Sequence, residues 1–399
     1  MRADVVGEFN EYRVLEYLRE HLEGTRTDLA RSLDLSPASV SRIVVRLLER
    51  GMIEESSTTS NAGRGRPSTV LRLVLDRSAV VGIDLRVTKC HGVLSVLSGE
   101  AIEDITVQND DAGGAFDALA QVWDRLEDAA QRRGLTIGSL VVGVPAVVDP
   151  DTGLARQGPN VGWDNFDIVS KLDAFGVPFV VDNDVNLAAL GEREHGQAHG
   201  LRDFAIIWIG TGLGGAIVSS GRLARGRHHS GGELGTIVPS PACLRDHRRE
   251  GEGALESVLS GAGISAAGRA LLREHPSAAA EFGEAARPQD IFAAASNGLP
   301  HARALVDRIV DALALLVINI ASMTDPEAII LDGGVGRNLD PFLDEVRPLV
   351  AAHISAPPRL SVSTLDATAT IKGATSLAMT TFRQLDAPEI IATLNSERD

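Results

Sequence analysis

Cysteine is almost absent from the sequence, which has only Cys90 and Cys243 among 399 residues. Two cysteines so far apart cannot form a framework of disulfide bridges, and their scarcity is typical of a reducing compartment. Long apolar runs are also lacking, since no stretch approaches the roughly 20 residues of a membrane span. The first residues have no signal-peptide core. We therefore expect a cytoplasmic protein with no membrane partner.

Positive charge is scarce as well, with 38 Lys and Arg against 54 Asp and Glu and a net charge of −16. The distribution is uneven. Residues 1–75 contain 11 Arg and 11 Asp and Glu, so residues 76–399 carry the whole negative charge. Residues 36–72 alone hold six Arg against three Glu. An acidic body thus carries a locally basic segment, and such a segment is typical of nucleic-acid binding.

Residues 11–56 predict three short helices. Thr27 is a candidate cap of the second helix, and Ser36 followed by Pro37 is typical of the start of a third. The third helix has an apolar face of Val40, Ile43, Val44 and Leu47. Its other face carries hydroxyls and arginines suited to base edges and phosphates, namely Ser39, Ser41, Arg42 and Arg46. This pattern predicts a helix-turn-helix.

The segment after these helices places Arg64 and Arg66 among glycines and a proline. Guanidinium groups on such an extended strand can enter a narrow minor groove, where the negative potential is strong. Helix and strand together predict a winged helix-turn-helix over residues 1–75. The alternative is a small helical bundle whose arginines only face solvent.

The body alternates between β-rich runs and amphipathic helices. Strands are predicted at 80–85, 91–97, 101–107, 139–149, 177–184, 328–334 and 360–364, and residues 204–223 are predicted as a strand, a glycine turn and a returning strand. Helices are predicted at 116–134, 185–196, 301–323, 341–353 and from about Lys372. Two halves of this βββαβα kind imply a cleft between two lobes. Two glycine turns, at Gly210–Gly215 and 331–334, end strands and are expected to face this cleft. Either turn alone is a weak indication of phosphate binding.

Five further motifs occur in order: VGVPAVVD at 142–149, GPNVGW at 158–163, DNDVNLAALGE at 182–192, GGELG at 231–235 and ALES at 254–257. With them the whole chain resembles the ROK family, which joins bacterial sugar kinases and transcriptional repressors. The resemblance implies an α/β protein, a winged helix-turn-helix (1–75) followed by a two-lobed actin-like (ribonuclease-H-like) sugar-kinase fold (76–399). The expected lobes are 76–200 with the C-terminal helix, and 201–370.

The resemblance also implies a sugar site. Its hydroxyl-binding residues correspond here to Asn160, Asn183, Asp184, Glu233 and Glu256. Carboxylates and amides suit a polyol because they accept and donate hydrogen bonds to neighbouring hydroxyls. In the kinases, the residue at Asp184 takes the proton from the attacking hydroxyl. The alternative for each residue is a loop-capping or surface-pairing role.

Two departures from the family pattern bear on mechanism. The kinases carry Asp-x-Gly-Gly-Thr-Lys at the first phosphate loop, where this chain has Arg86 and Val87 in place of both glycines. Bulky residues there block close approach of the backbone to phosphates, so we expect no kinase activity. The family's zinc ligands correspond to Thr236, His247, Arg249 and Ala254, of which only His247 can ligate. We therefore expect no metal and no cofactor.

These observations favour a sugar-responsive regulator that binds double-stranded operator DNA as a homodimer or homotetramer. The resemblance to the family implies a repressor more than an activator. Its effector is a sugar or a sugar phosphate. Two alternatives stay open. One is a bifunctional sugar kinase that also binds DNA, and the other is a regulator controlled by a protein partner, with a vestigial sugar pocket.

Overall fold

The structure is a computed structural model. It describes residues 10, 11, 13–15, 17, 18, 21, 23–49, 53–59, 68–73, 78–109, 114–149, 153–156, 158, 161–163, 165–245 and 253–385. The predicted wing arginines Arg64 and Arg66 and the predicted sugar ligand Asn160 lie outside these residues.

The N-terminal segment is a winged helix-turn-helix. Helical residues between 10 and 21 (α1) precede β1 (Gly24–Thr25), α2 (Arg26–Ser32), α3 (Pro37–Glu49), β2 (Ile53–Thr59) and β3 (Ser68–Leu73), and the sheet order is β1-β3-β2. The predicted face of α3 is confirmed, since Val40, Ile43, Val44 and Leu47 are all buried. They pack with Val14, Leu18, Leu29 and Leu71 in one small core.

Of the two helix N-caps predicted in this segment, one is confirmed and one is wrong. Ser36 precedes α3, and its hydroxyl accepts the backbone N–H of Ser39 at 3.1 Å. The predicted cap Thr27 is wrong, because α2 begins two residues earlier. Thr25 is its N-cap and forms a reciprocal pair with Asp28, whose carboxylate accepts the backbone N–H of Thr25 while the Thr25 hydroxyl accepts that of Asp28.

The body contains two five-stranded sheets. The first has the order β11-β7-β4-β5-β6 and comprises β4 (Ser78–Leu85), β5 (Lys89–Val96), β6 (Ala101–Gln108), β7 (Thr136–Val144) and β11 (Phe179–Asn183). Alternate residues of its strands face opposite sides. Val81 and Val142 pack under α4 (Ala115–Arg132), whereas Val80 and Val141 pack under α14 (Ala369–Leu385).

The second sheet has the order β14-β13-β12-β15-β16. It comprises β12 (Phe204–Ile209), β13 (Leu213–Ser219), β14 (Arg222–Leu223), β15 (Ala328–Asp332) and β16 (Arg359–Val362). Its larger core lies under α8 (Gly261–Glu274), α10 (Pro288–Ser296), α11 (Pro300–Thr324) and α13 (Leu343–Ala351). Its other face packs on α6 (Asp184–His195), and α6 also contacts α14 and the first sheet. Helix α6 therefore lies between the two sheets.

Several predicted boundaries differ. The predicted strand 139–149 is broken after Val144, and β8 (Val147–Asp149) belongs to a separate sheet with β9 (Leu154–Arg156) and β10 (Phe166–Asp167), which precedes α5 (Ile168–Leu172). The final helix begins at Ala369 rather than near Lys372. The sequence pattern predicts no element between residues 224 and 300, where α7 (Glu256–Leu259), α8, α9 (Ala279–Phe282) and α10 lie. None of the described helices is both long enough and apolar enough to cross a bilayer.

Candidate functional site

Asp184 is the first residue of α6, directly after β11 of the first sheet. Burial raises the pKa of its carboxyl to about 7, and the neighbouring carboxylate of Asp84 adds to the shift. The guanidinium of Arg86 opposes it. Asp184 therefore exchanges its proton near neutrality and can either donate or accept a hydrogen bond to a hydroxyl.

Asn183 lies beside Asp184 but acts as a helix cap. Its side-chain oxygen accepts the backbone N–H groups of Val185 at 2.9 Å and Asn186 at 3.3 Å, and its side-chain nitrogen donates to the carbonyl of Ala146 at 3.2 Å. These bonds use most of the hydrogen-bonding capacity of the amide. The capping alternative thus describes Asn183 in this structure, and a sugar contact by Asn183 stays a prediction.

Glu233 and Glu256 form a second group of carboxylates. Loss of hydration raises the pKa of the Glu233 carboxyl, and the charge of the nearby Glu256 raises this pKa further. Glu256 accepts the backbone N–H of Leu213 at 3.1 Å. One residue along the same strand, a Cβ on Gly214 would lie 3.2 Å from the side chain of Val185. The start of β13 therefore separates Glu256 from the start of α6, where Asp184 lies.

An ion pair joins the two sheets beside this site. Both terminal nitrogens of Arg225, in the loop after β14, donate to the carboxylate of Asp182, with the Nη1 bond at 2.8 Å. Asp182 is 4% exposed, is the penultimate residue of β11 in the first sheet and also accepts the side-chain N–H of Asn186 at 2.9 Å. The pair fixes the loop that leads to Glu233 against the segment that carries Asp184.

The turn after β4, which is expected to correspond to the first phosphate loop of the kinases, has its Arg86 bonded within the protein. Nε of Arg86 donates to the buried carboxylate of Asp84 at 2.6 Å, and the guanidinium lies 5.3 Å from the ring centre of Trp208. Asn109 donates to the carbonyls of Arg86 and Val87, which holds the turn closed. The other carboxylate oxygen of Asp84 is buried and unpartnered. Burial raises the pKa of Asp84.

The glycine turn at the end of β15 has a similar arrangement. Asp332 is fully buried, its Oδ1 accepts Nη1 of Arg337 at 3.0 Å, and its Oδ2 is unpartnered. Burial raises the pKa of Asp332 to about 6. Gly333 is required here because its φ is +89° and a Cβ would lie 2.4 Å from the carbonyl oxygen of Ile209.

The other glycine turn is also engaged by the protein. The carbonyls of Gly210 and Thr211 accept the backbone N–H groups of Gly261 at 2.9 Å and Ala262 at 3.3 Å, at the start of α8. The helix N-terminus that could hold a phosphate thus binds the turn itself.

Two of the four positions expected for the family's zinc ligands, Thr236 and Ala254, lie within the described residues, and neither offers a zinc-binding side chain. The hydroxyl of Thr236 donates to the carbonyl of Glu233 at 2.7 Å, Ala254 has no ligating atom, and His247 and Arg249 lie outside the described residues. Within the part of the chain that the structure describes, no three His, Cys, Asp or Glu side chains are placed to hold a metal ion.

The predicted DNA-reading face of α3 is solvent-exposed over most of its length. Ser41 and Arg42 are exposed, and Ser39 is partly buried with its hydroxyl 2.9 Å from that of Ser36. Arg46 is exposed but forms an ion pair with Glu11 of α1. Ser41 and Arg42 are therefore the side chains on α3 most available to a duplex.

Sequence reasoning did not single out Asp182, Arg225, Glu192, Arg337 or Trp208. Asp182 and Glu192 lie inside the motif at 182–192, so the motif was a usable signal for both. Their partners lie at a sequence distance that no local pattern reveals, since Asp182 and Arg225 are 43 positions apart.

Comparisons with known proteins match both parts of the chain. The model of the ROK family matches residues 80–381, and that of the MarR family matches residues 8–65. The xylose repressor of Caldicellulosiruptor bescii is 25% identical over 353 residues, 86% of this chain and 87% of the repressor. A glucokinase of Halalkalibacterium halodurans is 29% identical over 281 residues, 68% of this chain and 85% of the enzyme.

A solved structure resembles nearly the whole chain. It is a ROK family transcriptional regulator described as a homolog of the Escherichia coli MLC protein, with a TM-score of 0.76 and 25% identity over 97% of this chain and 99% of the other. Both repressors and kinases are thus among the similar proteins, and the xylose repressor and the regulator structure each match more than four fifths of this chain.

Proposed function

Because the chain belongs to the ROK family and joins that domain to a MarR-type winged helix-turn-helix, we propose that it is a sugar-responsive transcriptional regulator. It represses genes for carbohydrate uptake or catabolism, and a sugar in the cleft between the two sheets changes its affinity for operator DNA. The observation that carries this proposal is that one chain joins an α3 with Ser41 and Arg42 exposed to a ROK domain in which Asp184 and Glu233 are carboxyls of raised pKa.

The electrostatics of the chain support DNA binding by the N-terminal segment alone. The acidic body repels a duplex, whereas α3 presents Ser41 and Arg42 to solvent. Two such helices in a homodimer or homotetramer would read half-sites one helical turn apart, or a multiple of it. A protein of this kind acts in the cytoplasm, where its operator lies.

The cleft chemistry supports a sugar as the effector. Asp184, with a pKa of about 7, can donate to or accept from a hydroxyl, and Glu233 and Glu256 supply two further carboxylates. Closure over a sugar would draw the sheets together and shift the population of DNA-binding states. The size of that shift is limited by the difference in sugar affinity between the states.

The arrangement of Arg86 supports a regulator without kinase activity. Phosphoryl transfer depends on positioning and electrostatic stabilisation of the phosphates. Here the guanidinium of Arg86 lies between Asp84 and Trp208, and two Asn109 bonds hold the turn that follows β4. The family zinc is likewise not part of the proposed mechanism.

The proposal is tested by fluorescence anisotropy of the protein on DNA from upstream of its own gene. The salt concentration is fixed, because affinity for DNA depends strongly on it. A panel of free and phosphorylated sugars is then titrated in. We expect one sugar to shift the binding curve. DNA binding that no sugar shifts would instead favour control by a protein partner.

A kinase remains the second candidate because Asp184 has a pKa suited to a general base. ATP consumption is measured with the same sugars, for the wild type and for the double variant Arg86→Gly, Val87→Gly. We expect no sugar-dependent ATP consumption by the wild type. Sugar-dependent turnover of ATP by the wild type would overturn the non-enzymatic proposal.

A further inference from the structure

One segment connects the second sheet to a helix of the first. Residues 363–368 join β16, which belongs to the second sheet, to α14, which packs on β4 and β7 of the first. We call residues 363–368 the crossing segment. Any rotation of one sheet relative to the other must change its backbone or its contacts.

Two arginines, one from each sheet, bind consecutive carbonyls of the crossing segment. Arg86 follows β4 of the first sheet, and its Nη2 donates to the carbonyl of Ala367 at 3.1 Å. Arg337 lies beyond β15 of the second sheet, and its Nη1 donates to the carbonyl of Asp366. The crossing segment is thus tied to both sheets through guanidinium groups.

Each arginine is also fixed to its own sheet by a buried aspartate. Arg86 neutralises Asp84, which is 1% exposed, and Arg337 neutralises Asp332, which is fully buried. Removing either guanidinium would leave an uncompensated charge in the interior. The ion pairs therefore stay in place during a movement of the sheets, and the bonds to the carbonyls are the ones that can change.

A buried glutamate links the crossing segment to the other connection between the sheets. Glu192, near the end of α6, is fully buried and accepts the hydroxyl of Ser363. Its other oxygen accepts the backbone N–H of Gln197 at 2.7 Å, in the segment that leads from α6 to β12. Both connections thus meet at one carboxylate.

We propose that Arg86 and Arg337 are positioning residues that clamp the crossing segment and set the angle between the two sheets. Arg86 stands where the resemblance to the kinases implies a phosphate-loop glycine, and here it bonds to the crossing segment. Closure over a sugar strains the pair of carbonyl bonds, because one rotates with each sheet. The inference rests on the proposed function for its link to the sugar, and on geometry alone for the clamp itself.

Lysine substitutions separate the clamp from charge neutralisation. In Arg86→Lys, one ammonium keeps the ion pair to Asp84 but cannot also reach the carbonyl of Ala367, because Arg86 makes these two bonds with different nitrogens, Nε and Nη2. Arg337 makes both of its bonds with Nη1. A lysine side chain ends one bond before the position of Nη1, so in Arg337→Lys the ammonium that stays with buried Asp332 is drawn away from the carbonyl of Asp366. The matched control is Arg347→Lys. Arg347 lies on α13 and donates to the carbonyl of Leu360 in β16 at 3.0 Å. Both residues belong to the second-sheet half of the body, so this bond does not connect the two sheets.

The first readout is hydrogen exchange of the peptide that contains residues 363–368. Its backbone N–H groups of Leu365 and Thr368 are bonded within the segment, so they report its opening. We expect about fivefold faster exchange in both clamp variants, the size of one lost hydrogen bond, and unchanged exchange in Arg347→Lys. Unchanged exchange in both clamp variants, with circular dichroism showing a folded protein, would overturn the clamp.

The second readout is the ratio of DNA affinities without and with the effector sugar. We expect the clamp variants to change this ratio about fivefold while their affinity without sugar stays within twofold of the wild type. If no sugar shifts the wild type, the proposed function fails, and hydrogen exchange still decides on the clamp. The sugar could change the DNA affinity of the wild type and of the clamp variants by the same factor, while hydrogen exchange of residues 363–368 is faster in the variants. In that case the clamp does not transmit the sugar signal, and the proposal is wrong.

Discussion

The two terminal nitrogens of Arg225 donate hydrogen bonds to the two carboxylate oxygens of Asp182. These bonds join the loop after β14 of the second sheet to β11 of the first sheet. Asp182 is 4% exposed and precedes Asn183 and Asp184 directly. The ion pair therefore fixes the mouth of the candidate sugar site, and its loss is expected to affect both stability and sugar response.

Replacement of Arg225 by Ala leaves the Asp182 carboxylate with only the neighbouring amide donors. We expect a loss of about 2 kcal/mol in the free energy of unfolding, the usual penalty for a buried polar group without its partner. Urea denaturation measures it. Arg227→Ala, an exposed residue of the same loop, is the control. Adding Asp182→Asn should recover part of the loss in a double-mutant cycle. Equal stability of the Arg225 and Arg227 variants would contradict the role of the pair.

Asn183 tests the division between capping and sugar binding. Asn183→Ala removes the acceptor of the Val185 and Asn186 backbone N–H groups, so we expect about 1 kcal/mol lower stability in urea denaturation. Asn183→Asp keeps the acceptor and should retain that stability. If the Asp variant keeps both its stability and its sugar response, capping is the only role of Asn183. An Ala variant of wild-type stability would show that the cap contributes nothing.

Asp184 predicts a specific pH dependence of stability. Its pKa is about 7 in the folded protein against an ordinary value of 3.8, so between these values the folded state holds a proton that the unfolded chain has released. The free energy of unfolding therefore falls as pH rises from about 4 to 7, by at most about 1.4 kcal/mol per pH unit.

Asp184→Asn removes this proton and keeps the shape of the side chain. The difference in unfolding free energy, wild type minus variant, should fall between pH 5 and 7 and level off above about pH 7.5, as measured by urea denaturation at each pH. Taking the difference against the variant reduces the contribution of Asp332, whose pKa is also raised. A difference that is flat over this range would show that Asp184 titrates at its ordinary pKa.

Arg42 tests the DNA-reading face. Because Arg42 is exposed on α3, Arg42→Ala should weaken operator binding at least tenfold if it reads a base, or lower the salt slope of log affinity by about 0.9 if it contacts a phosphate. Anisotropy at several salt concentrations separates the two. Arg308→Ala, exposed on α11 of the body, should match the wild type. Equal effects of the two variants would place the duplex elsewhere.

The helices of the N-terminal segment could be predicted because apolar residues recur at helical spacing, as Val40, Val44 and Leu47 do on α3. The cap of α2 could not be assigned in the same way. Thr25 and Thr27 are both suitable types, and only the reciprocal bonds of Thr25 with Asp28 decide between them. Apolar periodicity thus predicts faces more reliably than ends.

The residues of the candidate site are a prediction from the sequence, whereas their contacts could not be predicted from it. Motif order indicated Asp184, Glu233 and Glu256, and the missing glycines indicated Arg86. The contacts of Arg86 with Ala367 and of Arg337 with Asp366 depend on the approach of two sheets, which no local pattern encodes. The helices between 253 and 300 were missed because segments such as GAGISAAGRALL combine glycine and alanine without a strong apolar period.

The most direct test of the account compares the wild type with Asp184→Ala in the anisotropy assay, at one salt concentration and with the sugar that shifts the wild-type curve. Asp184 begins α6 of the body and lies far along the chain from α3. We therefore expect the variant to bind operator DNA as tightly as the wild type without sugar and to lose the shift with sugar. A variant that still responds fully would contradict the assignment of the cleft as the sugar sensor.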